Sequence, residues 1–351
     1  MKAKYQQIAD ELRFKIVNGD YPQGTVIPPE MKLQEMYQVS RHTIRQAIAL
    51  LANEGYLRKE KGSGTYVDQP VVPNTGTRRK TIGVITTYLS DYIFPSIIRG
   101  IEAVLRDNNY SLLLASTSND PEQERKCLES MRNQGVDGLI VEPTKSNLYN
   151  PNLSYYLQFK EAGIPVVMLN AGYETLDLPV IRLDDVRAGF LATDYLLKQG
   201  HQELALITKM DDIQGKLRMK GFIEAHEAAG LSFDSSNIYT YTTESKTEVI
   251  QTASVQLLTT SVTGVVCYND EVANSLVQIL SDKKAIPQDL AVIGQDDSYL
   301  STAGEIPLTT VSHPKEQMGR AAAEWMLKAI ETNEQPADII YEPKVIPRTS
   351  A

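Results

Sequence analysis

Val39-Ser40-Arg41-His42-Thr43-Ile44-Arg45-Gln46-Ala47-Ile48 is the stretch from which the beginning of this chain is read. Ser40 is placed to cap a helix, its hydroxyl accepting from the free amides of the first turn. Ile44, Ile48 and Leu51, with Ala47 beside them, recur at helical spacing and form one apolar stripe. His42, Arg45 and Gln46 point the other way, flanked by Arg41 and Thr43. Free amides, two guanidinium forks and small polar groups at a helix start suit the major groove of a DNA duplex. Taken alone, the decapeptide equally suits a solvated amphipathic helix.

The neighbouring residues favour the groove. Tyr5, Ile8, Leu12 and Ile16 predict a helix that stops at Asn18-Gly19. Pro28-Pro29-Glu30 opens a second, short helix with Leu33 and Met36 turned inward. Gln38 and Val39 then leave a tight turn before Ser40, as in a helix-turn-helix. Tyr56-Leu57-Arg58-Lys59-Glu60, Lys61-Gly62-Ser63-Gly64 and Thr65-Tyr66-Val67 read as strand, turn and strand. Gly62 and Gly64 meet the positive φ of a hairpin turn, and a hairpin whose tip meets a groove or a phosphate is a wing. No G-x-G-x-x-G occurs, and a strand rather than a helix follows.

Residues 3–68 resemble the DNA-binding domain of the GntR family of bacterial regulators. The resemblance lies in Ile27-Pro28-Pro29-Glu30, Val39–Arg45, Leu51-Ala52-Asn53-Glu54-Gly55-Tyr56-Leu57 and Gly62–Val67. It implies that Arg41, Thr43 and Arg45 touch DNA and that the wing around Gly62–Thr65 enters the minor groove. The family often has arginine after the glutamate of its proline motif. Met31 stands there in this chain, leaving Lys32 as the candidate phosphate contact of that helix. The expected DNA-binding set is Lys4, Lys32, Ser40, Arg41, His42, Thr43, Arg45, Lys61, Gly62, Ser63, Gly64 and Thr65. One short recognition helix covers few base pairs, so a homodimer on a near-palindromic double-stranded operator is expected.

A chain of 351 residues is too long for one winged helix. Its net charge of −9 is unevenly spread. Residues 1–68 carry +2, residues 69–80 carry +3 and the remainder carries −14. An acidic body is repelled by duplex phosphate, which leaves the beginning of the chain to face it. Residues 69–80, with Pro70, Pro73 and Gly76 and no periodicity, read as a linker between a domain at 1–68 and a body at 81–351. There is no run of about 18 apolar residues, and Met1-Lys2-Ala3-Lys4 leads straight into a helix, so a cytoplasmic protein without membrane contact is expected. Cys127 and Cys267 are expected as reduced, buried thiols. His42, His201, His226 and His313 are scattered without metal-ligand spacing, and neither a metal nor a cofactor is expected.

From Thr81 the pattern alternates short apolar runs with amphipathic segments. Strands are expected at Thr81–Thr86, Tyr110–Ser116, Gly138–Val141, Pro165–Leu169, Leu204–Ile207, Ile238–Tyr241, Gly264–Cys267 and Leu290–Ile293. Helices are expected at Ser96–Asp107, Pro121–Asn133, Leu153–Ala162, Gly189–Gln199, Met219–Ala229, Thr247–Leu257 and Glu271–Ser281. Such βα units imply parallel sheets covered by helices on both faces. About 270 residues exceed one comfortable sheet. The fold class is therefore α/β: a winged helix-turn-helix followed by a two-lobed, doubly wound body of the periplasmic-binding-protein kind.

Residues 80–348 resemble the effector-binding domain of the LacI/GalR family. The carriers include Ile97–Glu102, Gly135–Val141, Gly163–Val167, Leu183-Asp184-Asp185, Gly200-His201, Arg218–Phe222, Cys267–Asp270, Val292–Asp297 and Leu308–Val311. That family's own helix-turn-helix and hinge helix are missing. The pairing of the two kinds of domain, with the loops Tyr88–Pro95 and Val141–Ser146, resembles a group of arabinose-responsive repressors. The resemblance implies operator DNA beside arabinose-use genes, released when L-arabinose occupies the cleft, and it assigns effector binding to Arg218.

Sugar hydroxyls want charged or amide groups able to serve two hydrogen bonds each, and an aromatic face for the ring. Glu142, Asn170, Lys209, Asn269 and Asp296 follow strand ends. Arg218 starts the helix after the Lys209 loop, and Tyr88 and Phe94 are placed to stack. Asp184 joins the set, although Asp184, Asp185 and Asp297 equally suit helix caps, and an ordinary core place is the lesser alternative for Tyr92 and Phe94. No G-x-S-x-G, Walker loop or metal cluster points to an enzyme. Another sugar or a purine is the alternative effector, while Glu142 and Asp296 disfavour a phosphorylated one by charge.

Overall fold

A computed structural model describes residues 4–17, 20–60, 64–68, 80–90 and 92–351. The chain divides into two compact units, Met1–Thr77 and Arg78–Ala351. The predicted cap at Asn18-Gly19, the turn residues Lys61, Gly62 and Ser63, and residues 69–79 of the predicted linker lie outside the described residues.

The first unit holds α1 (Lys4–Val17), α2 (Glu30–Tyr37), α3 (Arg41–Asn53), β1 (Leu57–Glu60) and β2 (Gly64–Val67). Ile44, Ala47, Ile48 and Leu51 are buried against Ile8, Leu12 and Ile16 of α1 and Leu33 of α2, so the apolar stripe meets its core. Met36 is a correction: it is 47 % exposed, and Leu33 anchors α2 instead. Gln38 turns the chain between α2 and α3 with φ +51°. β1 and β2 pair antiparallel from Leu57 opposite Val67 to Glu60 opposite Gly64. The Ile27 amide donates to the Thr65 carbonyl at 2.9 Å, so the segment before α2 lines the hairpin's other edge. Gly64 has φ +137°, and a Cβ there would stand 3.0 Å from Val26 Cγ1, so the hairpin needs glycine at this point.

The second unit begins with β3 (Thr81–Thr86), α4 (Phe94–Asp107), β4 (Ser111–Ser116), α5 (Pro121–Gln134), β5 (Gly138–Val141), α6 (Leu153–Glu161), β6 (Val166–Leu169) and β7 (Val180–Leu183). It crosses to a second lobe through α7 (Asp185–Lys198), β8 (Leu204–Lys209), α8 (Ile213–Ala229), β9 (Ile238–Tyr241), α9 (Lys246–Leu257), β10 (Gly264–Cys267), α10 (Asp270–Leu280) and β11 (Ala291–Ile293). The remainder is α11 (Leu300–Ala303), β12 (Thr310–Val311), α12 (Lys315–Thr332), β13 (Ile339–Tyr341) and β14 (Val345–Ile346). The first sheet runs β13-β7-β6-β5-β3-β4 and the second β11-β10-β8-β9, all neighbours parallel. The two-lobed doubly wound architecture is the one expected from the alternation. After the second sheet the chain returns: α12 packs Met318, Ala322, Trp325 and Met326 into the first lobe's core, and β13 extends its sheet. Cys267 is buried as expected, whereas Cys127 is only half-buried; both are free thiols. No helix among the described residues is long and apolar enough to cross a membrane.

Candidate functional site

In the first unit the Ser40 hydroxyl accepts from the Thr43 amide at 3.2 Å and caps α3. Arg41 and Arg45, 65 % and 61 % exposed, lie one helical turn apart. A single carboxylate that the sequence reading missed holds both. Glu30 Oε2 takes Arg41 Nε at 3.0 Å and Glu30 Oε1 takes Arg45 Nε at 3.2 Å. Burial works to raise the Glu30 pKa, but the two guanidiniums outweigh it and keep Glu30 ionised. Lys4, Lys32 and His42 are exposed on α1, α2 and α3, Thr43 and Thr65 are half-buried, and Gly64 is exposed on β2. Exposed ion pairs contribute only about 0–1 kcal/mol, and both of these use Nε, which leaves the Nη edges of the two guanidiniums clear of Glu30.

In the second unit the strand ends of the two lobes face a cleft of about 420 Å³. Tyr88, Phe94, Glu142, Asn170, Lys209, Arg218, Asn269 and Asp296 all line it. Asp184 does not. Its carboxylate caps α7 by accepting from the Arg187 amide at 2.9 Å, and its neighbour Asp185 takes the place in the cleft. Arg218 lies in the second turn of α8, which starts at Ile213, rather than at the helix start that the sequence suggested. It is held there because α7 and α8 touch through glycine: a Cβ on Gly189 would stand 2.0 Å from the Arg218 carbonyl.

The cleft wall is built around that guanidinium. Arg218 donates from Nε to Asp185 Oδ1 at 2.9 Å, from Nη1 to the Tyr268 carbonyl at 2.5 Å and from Nη2 to Asp296 Oδ1 at 3.0 Å. The Tyr268 ring lies 5.1 Å below it. Burial opposes the Arg218 charge, and Asp296 and Asp185 outweigh it. Burial likewise works to raise Asp296, yet Arg218, His313 and the Tyr92 hydroxyl leave its pKa lowered. Asp185 goes the other way, pushed up to about 6 by burial although Arg218 works to hold it down.

Opposite stands Glu142, accepting from the Thr87 amide at 2.9 Å, the Thr87 hydroxyl at 2.5 Å and Asn170 Nδ2 at 3.0 Å. Lys209 Nζ meets Asp212 at 2.6 Å, and Asn269 Oδ1 caps α10 by accepting from the Val272 amide at 3.0 Å. Tyr88 and Phe94 lie 6.0 Å apart and tilted; Phe94 belongs to the first lobe's core as well as to the cleft. The sequence reading gave no place here to His313 or Gln214. Both line the cleft, and His313 Nδ1 and Gln214 Oε1 have no hydrogen-bond partner among the described residues. Burial pushes the His313 pKa down to about 4, so its ring is neutral at pH 7. Two enclosed polar atoms without such partners, one on α8 and one on the segment between β12 and α12, are groups a hydroxylated ligand would satisfy.

Burial pushes Glu142 from 4.5 up to about 7, against the opposing hydrogen bonds of Thr87 and Asn170. The folded protein then holds this proton more tightly than the unfolded chain does. Its contribution to stability is complete below pH 4.5 and is lost as pH rises through 7. A displacement of this size corresponds to about 3 kcal/mol. The melting temperature should therefore fall more between pH 5 and pH 8 in the wild type than in Glu142→Gln. Equal falls in the two proteins would remove Glu142 from the titration.

Comparison with known proteins agrees with both units. Residues 4–67 match the gntR family of bacterial regulatory proteins, and residues 193–351 match a periplasmic binding protein-like domain. An arabinose metabolism transcriptional repressor of Halalkalibacterium halodurans is 43 % identical, covering 100 % of this chain and 97 % of that protein. Its counterpart from Geobacillus stearothermophilus is 42 % identical, covering 99 % and 97 %. A LacI family transcriptional regulator from Enterococcus faecium, solved with bound ribose, superposes with a TM-score of 0.67 at 27 % identity, covering 77 % of this chain and 98 % of that one. A gntR head, a binding-protein body and near-complete alignment at such identity leave one conclusion: this chain belongs to the family of arabinose metabolism transcriptional repressors.

Proposed function

We propose that the protein represses L-arabinose-use genes by binding operator DNA as a homodimer, and that L-arabinose in the interlobe cleft releases it. Residues 1–68 would serve as the DNA-binding domain, 69–80 as the linker and 81–351 as the effector-binding and dimerisation body. The observation that carries the reading is the cleft wall, where buried Arg218 is spread between Asp185 and Asp296 and faces Glu142. Fixed, charge-assisted donors and acceptors of this kind suit a polyol, whose hydroxyls donate and accept at once. Five carboxylates against three cations line the cleft, which disfavours a phosphorylated ligand. Its volume lies within the roughly 300–1,000 Å³ usual for small-molecule sites. The relatives' names point to arabinose, and the ribose-bound regulator is a further support for a pentose.

Release would follow from closure of the lobes, which changes how two bodies pack and so the spacing of two heads on two half-sites. The test is a paired titration of the full-length protein. If L-arabinose weakens operator binding by some factor, operator must weaken L-arabinose binding by the same factor. The saturation point of the same titration counts subunits per operator, and two are expected. Failure of millimolar L-arabinose to bind or to shift operator affinity would overturn the effector assignment.

A further inference from the structure

Tyr92 stands on the loop ahead of α4 and packs its ring against the first lobe's apolar core. Its hydroxyl, however, is engaged by the second lobe. It lies 2.8 Å from Asp296 Oδ2 and 2.9 Å from the Gln295 carbonyl, and it accepts from the Asp270 amide at 3.1 Å. A phenol has one proton, and the carboxylate makes the stronger, charge-assisted bond. The Gln295 carbonyl already accepts from the Asp270 amide at 2.9 Å. The proton of Tyr92 is thus committed to Asp296, whose other oxygen holds Arg218. A continuous chain runs from the first lobe through Tyr92, Asp296 and Arg218 to Asp185.

Both ends of the Tyr92–Asp296 bond sit on strained backbone. Tyr92 has φ +61°, Asp296 φ +90° and Asp297 φ +42°, a region that L side chains occupy only when their surroundings hold them there. The first lobe holds the Asp296 turn a second time. Lys315, at the start of α12, donates from Nζ to the carbonyls of Asp296 and Asp297 at 2.7 Å and 2.6 Å. Burial keeps the Tyr92 phenol protonated far above neutral pH, so the donor is present under all working conditions.

We propose that Tyr92 is a positioning residue that ties the first lobe to the effector-binding carboxylate Asp296, so that occupation of the cleft and closure of the lobes are linked through one hydroxyl. The proposal rests on the cleft being the effector site. Truncating one partner of such a bond while the other stays buried leaves Asp296 Oδ2 without its donor, although Oδ1 keeps Arg218. The linkage should therefore suffer more than sugar binding itself, because Arg218 remains in place to meet the ligand.

The experiment uses the full-length protein with Tyr92→Phe, which keeps the ring and removes the oxygen. Nitroxide labels on Tyr149→Cys in the first lobe and Val255→Cys on α9 report the distance between lobes; these sites are 84 % and 65 % exposed. A Cys127→Ser background removes the half-buried native thiol. Without sugar, Tyr92→Phe should shift the distance distribution to longer values. The ratio of operator Kd with and without L-arabinose should shrink at least tenfold while the Kd for L-arabinose changes less than threefold. Unchanged distances with an unchanged ratio would overturn the proposal, as would affinity and ratio falling by the same factor. If L-arabinose has no effect on the parent protein, the effector assignment is what fails, and the distances alone decide the role of Tyr92.

Discussion

Arg218→Ala should abolish sugar-dependent release of operator DNA. The side chain is 5 % exposed and is the cation shared by Asp185 and Asp296, themselves 2 % and 6 % exposed. Removing one member of a buried ion pair costs about 3–5 kcal/mol, because the charge left behind has neither water nor partner. Here two carboxylates are left behind. L-arabinose affinity should fall at least a hundredfold, about 2.7 kcal/mol, and the body should melt several degrees lower. Arg218→Lys restores a charge without the planar fork, so it cannot hold Asp185, the Tyr268 carbonyl and Asp296 together, and only partial recovery is expected. The readout is operator titration with and without L-arabinose, beside a thermal melt. Release of Arg218→Ala at parental sugar concentrations would sink this account of the cleft.

Much of the framework was legible because its signals are local. The bounds of β3, β5, β9 and β10 fall where the short apolar runs placed them. Buried parallel strands are continuous apolar runs between turn residues, so they announce themselves. α3 was equally plain, since its cap and its stripe are both within the helix. Helix starts fared worse. Ile213-Gln214-Gly215-Lys216 opens α8 with a glycine and polar residues, and the helix was expected only from Met219. α7 starts at Asp185 rather than Gly189 for a similar reason. The 18-residue α12 went unread, although Met318, Ala322, Trp325, Met326, Ala329 and Ile330 repeat at helical spacing and would have identified it. β13 gave no such signal: Ile339, Ile340 and Tyr341 become a strand only by pairing with β7, far away in the chain.

The cleft divides along the same line. Residues just after a strand were found, because in doubly wound sheets the ligand lies at strand C-terminal ends. Glu142, Asn170, Asn269 and Asp296 are of this kind, and Lys209 is the last residue of β8. Gln214 lies inside α8, and His313 follows β12, a strand outside the two parallel sheets, where only the return of the chain brings its Nε2 to 3.3 Å from Asn170. Asp184 and Asp185 could not be told apart by type. Their roles are separated by one residue's rotation at the start of α7, which turns Asp184 to the Arg187 amide and Asp185 to Arg218. Glu30 was hidden for a related reason. It was read as the opening of a helix, and its two partners lie on the next helix, 11 and 15 residues on.

Arg45→Ala should lower operator affinity by about 1–3 kcal/mol and relax preference at one base pair in each half-site, if its guanidinium reads a guanine. Glu30 makes that reading geometrically specific. By taking Nε of both Arg41 and Arg45, it leaves the Nη edges of the two guanidiniums for DNA. The Nη edge is one that can serve two acceptors side by side, as O6 and N7 of guanine do. Arg41→Ala should behave differently. If Arg41 grips phosphate, the loss weakens every sequence alike and reduces the slope of log affinity against log salt by about 1. Glu30→Gln separates orientation from charge. It makes the head more positive, so non-specific binding should strengthen, while the guanidiniums lose their common anchor and operator preference should decline. The measurement is operator and scrambled-duplex affinity at several salt concentrations for all three variants. Arg41→Ala and Arg45→Ala giving the same loss on both duplexes would mean that neither reads bases, and the recognition surface would have to be sought elsewhere on the head.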